Sequence, residues 1–571
     1  MKKNRTYFKT VLIFCLAVTI NLYEAQQPSL QWAKSLSGQG NCRSNAQCTD
    51  LIGNIYSTGT FTGTFDFDPG TGVNTFSNTA TDCFINKLDA SGNLIFNKVL
   101  KGNAQSNGIT TDANNFVYIT GVFYSVVDFD PGINTYTAAP VGGSSFILKL
   151  DPSGEFVWVK FIESQGGVIV LNAIKTDQSG NIVVTGRYSG TTDVDPGSGI
   201  YNITTNGTSD ILLVKLNPSG NFLWANSNGG SSTDVANSLN IDANGNIILV
   251  GFFMNTVDFD AGPGAANLTS NGGQEIFILK VNSLGSFLWA KSMGGTNSEM
   301  AMSVDTDANG NVYTSGFFYD TVDFDPNSSI FNLTSLGNKD VFISKLDASG
   351  NFIFAKNIGG ISIDQGVALE LDVNKNIYLT GIFQETVDFD PSNTSYTLAS
   401  SASGTYDTFI AKYDSIGNFI YAGNLSSNSN FGVFPFGLSV TPSNEVFVTG
   451  IFSGTCDLDP GVGTTTITAV APSVNTYIIK LFNNPNNIFE IDSQFDSIAF
   501  YPNPSPDFII VESEKTISFI HITDLFGNKI KTIDADKNRS VKIDIHEIPQ
   551  GIYFLNLQSD KKTKVIKVIK T

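Results

Sequence analysis

Aspartates recurring in pairs are the residues best placed to do chemistry. Asp66 and Asp68, Asp128 and Asp130, Asp193 and Asp195, Asp258 and Asp260, Asp323 and Asp325, Asp388 and Asp390, and Asp457 and Asp459 each flank one apolar residue in strings of the type TVDFDP. Alternate residues of an extended backbone share a face, so each pair presents two carboxylates together while the residue between them points inward. Two hard oxygen donors followed by a turn that offers carbonyls could hold calcium. The same string also reads as structure, because Asp before Pro opens turns and the loop lacks the denser Asp/Asn/Gly ladder of calcium loops. The turn reading is the simpler one.

Other chemistries are thinly supplied. The two histidines, His521 and His546, both lie near the C-terminus. Imidazole metal sites and Ser-His-Asp or Cys-His catalysis are therefore excluded from the preceding residues. Glycosidase chemistry needs two carboxyls converging across a cleft, one of them made acidic by its surroundings. The paired aspartates are instead spread evenly, and no copy is set apart. Cys42, Cys48, Cys83 and Cys456 match no zinc spacing. In an oxidising compartment a disulfide among some of them is expected, with the pairing open. A net charge of −19 with no basic stripe argues against a nucleic-acid partner.

The strings are spaced by 62, 65, 65, 65, 65 and 69 residues, a repeat of nearly constant period. Residues 301–358 show one copy: a short apolar stretch, the turn TDANGN, NVYTSGFF, the acidic string, a variable polar segment, DVFISKLD, ASGN and FIFAK. Alternating β-branched and aromatic residues between Gly/Asn/Asp clusters predict four antiparallel strands per copy. Asp307 and Asp347 should open turns in which Gly310 and Gly350 take positive φ. Such a unit buries too little alone, and stacking units around an axis solves that problem. Trp32, Trp158, Trp224 and Trp289 share one place on the fourth strand, filled elsewhere by Phe96, Phe354 and Tyr421. Packing between copies accounts for them, with a sugar platform as the alternative.

The ends carry the most telling detail. LQWAKSL at residues 30–36 is a lone fourth strand, and the last copy, ending near residue 481, lacks one. Pairing the two would remove a free sheet edge. The expected fold is all-β: a seven-bladed β-propeller over residues 29–482, closed by its N-terminal strand. Residues 1–25, with Lys2, Lys3, Arg5 and Lys9 before an apolar run and Ala25, read as a cleaved secretory signal. No transmembrane span is then left in the mature chain. Residues 483–497 read as a linker, and the alternating strands from 498 to 571 as a small β-sandwich.

Strings such as IDANGNIILVGFF at 241–253 resemble the bacterial SBBP propeller repeat and, more distantly, NHL repeats. That resemblance implies a propeller but no single activity. FYPNPSPD at 500–507, ITDLFGNKI at 522–530, IPQGIYFL at 548–555 and the basic end resemble the type A C-terminal sorting domain of type IX secretion substrates in Bacteroidota. The motif residues are Tyr501, Pro502, Asn503, Pro504, Gly527, Gly551 and Tyr553. The resemblance implies the type IX machinery as a partner and display on, or release from, the outer surface of a Gram-negative bacterium. The expected role is a non-enzymatic binding or structural module for an extracellular glycan or protein, recognised by loops such as 261–274 and 391–406. The alternative is an Asp-based enzyme acting on polysaccharide. No cofactor is implied beyond calcium.

Overall fold

Strict alternation of apolar and polar residues has the expected consequence: among the described residues every regular element is a β-strand. The computed structural model describes residues 29–164, 166–470, 472–482, 498–501, 505, 507–523, 529–559 and 562–570. The expected signal (1–25) and linker (483–497) lie outside them. No helix among the described residues is long and apolar enough to cross a membrane. The chain divides into two compact units, residues 1–483 and 484–571.

In the first unit, Val235–Ile241 pairs antiparallel with Ile247–Phe253, that strand with Glu275–Val281, and that with Phe287–Gly295. The same order joins Gln365–Leu371, Ile377–Phe383, Asp407–Tyr413 and Phe419–Ser427. The strand Ser29–Thr49 serves two sheets. Residues 29–36 pair with Asn475–Phe482, with Trp32 opposite Lys480, and residues 37–49 pair with Ile55–Asp66. First strands touch in cyclic order: Ser29–Thr49, Ala104–Thr111, Ile169–Thr176, Val235–Ile241, Met300–Thr306, Gln365–Leu371, Val433–Val440, and Ser29–Thr49 again.

The acidic strings anchor the core. Phe67, Phe129, Val194, Phe259, Phe324, Phe389 and Leu458, the apolar residues between the paired aspartates, are at most 1% exposed. Phe259 meets Phe253 and Phe277 at ring-centroid distances of 5.4 and 5.1 Å, and Phe324 meets Phe318 and Phe342 at 5.3 and 5.1 Å. Repeated edge-on and tilted contacts of this kind add to the burial energy.

A lysine on the third strand ties neighbouring copies. Lys280 forms a 2.9 Å ion pair with Asp242 of its own copy and donates to the Ala348 carbonyl of the next. Lys87, Lys149, Lys215 and Lys345 donate to the equivalent carbonyls of Pro152, Pro218, Ser283 and Ser415. Lys480, in the last copy, donates to Ala90 of the first at 2.9 Å. Among the described residues Lys412 pairs with Asp372 and makes no bond to the following copy. The tryptophans act at the same seams. Trp224 covers Gly285, whose φ of 82° and 2.9 Å clearance for a Cβ both call for glycine, and Trp32 covers Gly92. These contacts account for the aromatic position as packing.

The disulfide expectation is not met: Cys42, Cys48, Cys83 and Cys456 are all free. They pack as small apolar side chains, Cys42 with Leu36 and Phe61, Cys48 and Cys83 in the cluster of Tyr56 and Ile85, and Cys456 with Leu458 and Tyr477. Burial pushes the Cys42 and Cys48 thiols up to about 12 and Cys83 up to about 11, which leaves them unreactive.

In the second unit Phe508–Thr523 runs as one strand where separate strands at 508–511 and 517–522 were expected, with register shifts between Glu512 and Phe519. It pairs with Ile498–Tyr501, Lys529–Asp544 and Gly551–Ser559, and the last of these pairs with Lys562–Lys570.

Removing the Lys280 ammonium while keeping its buried partner should be costly. Lys280→Ala is expected to destabilise the first unit by about 3–5 kcal/mol in denaturant unfolding, and Lys280→Met with Asp242→Asn should recover most of that. A loss below about 1 kcal/mol would remove the lysine tie as a stabilising element.

Candidate functional site

The paired aspartates close the loop that follows the second strand. Asp258 Oδ1 accepts the backbone N–H of Asp260 at 3.0 Å and of Ala266 at 2.8 Å. Asp66, Asp128, Asp193, Asp323, Asp388 and Asp457 each make the same two bonds. The second aspartate of each pair caps the N–H two residues on, as Asp68, Asp130, Asp195 and Asp260 do at Gly70, Gly132, Gly197 and Gly262. Asp325, Asp390 and Asp459 cap Asn327, Ser392 and Gly461. Both carboxylates of a pair thus have backbone donors, and the pairs of different copies are not brought together. Among the described residues no group of three or more His, Cys, Asp or Glu is placed to hold a metal. A solvent-open groove of about 760 Å³ runs beside Asp193 and Asp195, with Lys160 and Glu163 on its wall.

A different set of residues departs from the repeat. Two residues before the first turn of each copy, on the first strand, stand Cys48, Thr110, Lys175, Asn240, Asp305, Glu370 and Ser439. The turn position itself is almost uniform, aspartate at Asp50, Asp112, Asp177, Asp242, Asp307 and Asp372 and threonine at Thr441. The divergent side chains act on one another across copies. Burial raises the Glu370 pKa, the charge of Asp305 raises it further and Lys175 opposes both. Burial raises Asp305 too, against bonds from the Leu371 and Thr306 N–H groups, the charge of Lys175 and Asn240 Nδ2. Both acids are part-buried. A groove of about 470 Å³ is lined by Asp305 with Thr306, Leu371, Lys375 and Thr441. Sequence reading missed this layer because it followed what the copies share; the available signal was the one strand position where they differ.

A third set is buried at the seams. Asp234, Glu299 and Asp364 are fully buried. Burial raises their pKa values to about 6, 7 and 7, against N–H bonds from Gly230, Gly295 and Gly360. Asp210 adds repulsion at Asp234, as do Glu275 and Asp320 at Glu299; at Asp364, Asp340 repels while Lys339 attracts.

In the C-terminal unit, Tyr501 pairs opposite Ile510, Gly551 opposite Lys570 and Tyr553 opposite Val568. The Tyr553 hydroxyl donates to the Pro549 carbonyl at 2.9 Å. Pro502, Asn503, Pro504 and Gly527 lie outside the described residues.

Residues 499–571 match the family described as the secretion system C-terminal sorting domain, which supports export and a secreted or cell-surface location. An uncharacterized WD repeat-containing protein of Acanthamoeba polyphaga mimivirus is 26% identical over 394 residues, 58% of this chain and 28% of that protein. The regulatory protein FlaEY of Caulobacter vibrioides is 24% identical over 147 residues, 26% of this chain and 15% of that protein. The chain thus spans well under a third of the length of either curated relative. Among solved structures, Sqt1 from Chaetomium thermophilum aligns over 80% of this chain and 99% of its own at 9% identity and TM-score 0.34. The PQQ domain of pyranose dehydrogenase from Coprinopsis cinerea aligns over 66% and 93% at 11% identity and TM-score 0.29.

Two outcomes follow. With both aspartates of each string serving backbone donors, the melting temperature of the full chain should be the same in chelator and in millimolar calcium; a calcium-dependent rise would make the strings metal sites. The buried acids set a pH dependence. Unfolded carboxyls lose their protons near pH 4, whereas Asp234, Glu299 and Asp364 keep theirs to about 6–7. Their contribution is fully present below the unfolded value and lost as pH rises through the folded one. The chain should therefore melt higher at pH 5 than at pH 8, by a margin that Glu299→Gln reduces. An equal margin in the variant would contradict this.

Proposed function

We propose that residues 29–482 form a seven-bladed β-propeller closed by the N-terminal strand, and that this ring is a binding or structural module displayed on or released from the outer surface of a Gram-negative bacterium of the Bacteroidota. Residues 1–25 direct entry to the periplasm, and residues 498–571 engage the type IX machinery. The observation that carries the export half is the sorting-domain match over residues 499–571. The cyclic order of first-strand contacts and the bond from Lys480 to Ala90 support the ring. The SBBP-like strings accord with it. Recognition of an extracellular glycan or protein would fall to the variable segments 261–274 and 391–406 and to the space enclosed by the first strands.

One observation favours a second reading, an enzyme acting on polysaccharide. Asp305 and Glu370 are unlike carboxyls on neighbouring strands, and the charge of Asp305 raises the Glu370 pKa, which is the asymmetry that acid–base chemistry requires. Lys175 opposes the protonation that a general acid needs, so binding remains the leading reading.

Deleting residues 498–571 in the producing bacterium should leave the remainder inside the outer membrane, while the full chain is found outside or on the surface. Fusing residues 483–571 to a periplasmic reporter should carry that reporter out. Surface exposure of the truncated chain would contradict the assignment.

A further inference from the structure

The internal repeats provide their own control on what the fold requires. A strand position with a purely structural role would hold the same residue type in each copy, as the third-strand lysine does. At the position that places Lys175, Asp305 and Glu370 in the space enclosed by the first strands, the copies instead carry a cation, two acids, polar residues and a thiol. Placing unlike charges there costs desolvation, and the fold does not need them, because the other copies manage with Thr110, Asn240 or Ser439.

The charges differ in how they are held. Asp305 is pinned, its Oδ1 accepting from Asn240 Nδ2 and the Thr306 N–H and its Oδ2 from the Leu371 N–H at 2.8 Å. The side chains of Glu370 and Lys175 have no hydrogen bond and no ion pair among the described residues. They nevertheless attract each other, and Lys175 also acts on Asp305. An ammonium and a carboxyl group thus share one enclosed space without touching. Two residues earlier on the same strand faces, each copy has alanine, glycine or serine, from Ala46 and Gly108 to Ala368 and Gly437, so the layer beneath the charges is lined by small side chains. Asp305 also lines a groove of about 470 Å³ together with Thr306, Leu371, Lys375 and Thr441.

We propose that this space binds a small zwitterion, of the class of a free α-amino acid, with its ammonium toward Glu370 and Asp305 and its carboxylate toward Lys175. A purely cationic ligand would be repelled by Lys175, and a purely anionic one by Asp305 and Glu370. A compact ligand of both signs compensates all three groups and needs only the room the small residues leave. The inference rests on the reading of residues 29–482 as a binding module, and it narrows the ligand.

The test is isothermal titration of the purified full chain with the standard free amino acids, and with N-acetyl and carboxamide forms of whichever binds best. At least one free amino acid should bind, and capping either end should weaken it by about tenfold or more, the scale of one desolvated charged contact. Lys175→Met should erase the penalty for the carboxamide, Lys175→Arg should keep it, and Glu370→Gln should erase the penalty for the N-acetyl form. Melting temperatures within a few degrees of the parent would show that the variants are folded. Binding that ignores the caps, or no binding by any amino acid, would overturn the zwitterion site. Neither result would touch the export experiment above, so failure of this inference and failure of the surface-module reading are separable.

Discussion

A buried ammonium group that bridges neighbouring copies, present for six of the seven third-strand lysines, is the constraint on which the repeat array depends. A four-stranded antiparallel unit has two faces to cover and too little apolar surface to stand alone. The third-strand lysine makes the neighbour's turn part of its own coordination: Lys280 pairs with Asp242 and reaches the Ala348 carbonyl of the next copy. An ammonium buried with fewer partners would cost several kcal/mol, so every copy but that of Lys412 is fully satisfied only when the next is in place. Lys480 extends the rule from last copy to first through Ala90. The tryptophan on the fourth strand, lying over a positive-φ glycine of the following copy, seals the same junction against water.

The acidic strings serve both the unit and the seam, since Asp193, Asp323, Asp388 and Asp457 each pair with the fourth strand of the preceding copy. The buried residue between the aspartates packs into a core shared with the preceding copy, as Phe259 does with Val183 and Ile211, and the flanking carboxylates hold the loop that positions it. A feature resembling a metal loop in sequence is in this geometry a turn whose polar atoms serve backbone donors. Hydrophobic insertion and loop closure are performed by the same residues, which explains why the string is the most regular part of the repeat.

Much of this was legible in the sequence, because period, alternation and turn chemistry are local. The turn aspartates were readable from spacing alone, with Gly310 and Gly350 at φ of 78° and 81° as expected. So was the pairing partner of Trp32's strand, from the missing fourth strand of the last copy. What was not legible depends on contacts between copies. The third-strand lysines sit in apolar strands where alternation gives no reason for them. Thiols that the fold leaves free look like pairing candidates when only compartment and count are known. The layer of Lys175, Asp305 and Glu370 was invisible for the opposite reason, since searching for shared features discards positions where the copies differ.

The proposed binding role draws on what symmetry leaves over: a repeated scaffold, one asymmetric set of charges within it, and a C-terminal unit matching a sorting domain. All of it rests on the ring being closed by the N-terminal strand. Amide hydrogen exchange of residues 29–36 tests that claim most directly. Closure predicts protection equal to that of Asn475–Phe482, with both segments losing it together on unfolding of the first unit. Exchange of residues 29–36 at the rate of free chain while Asn475–Phe482 stays protected would contradict it.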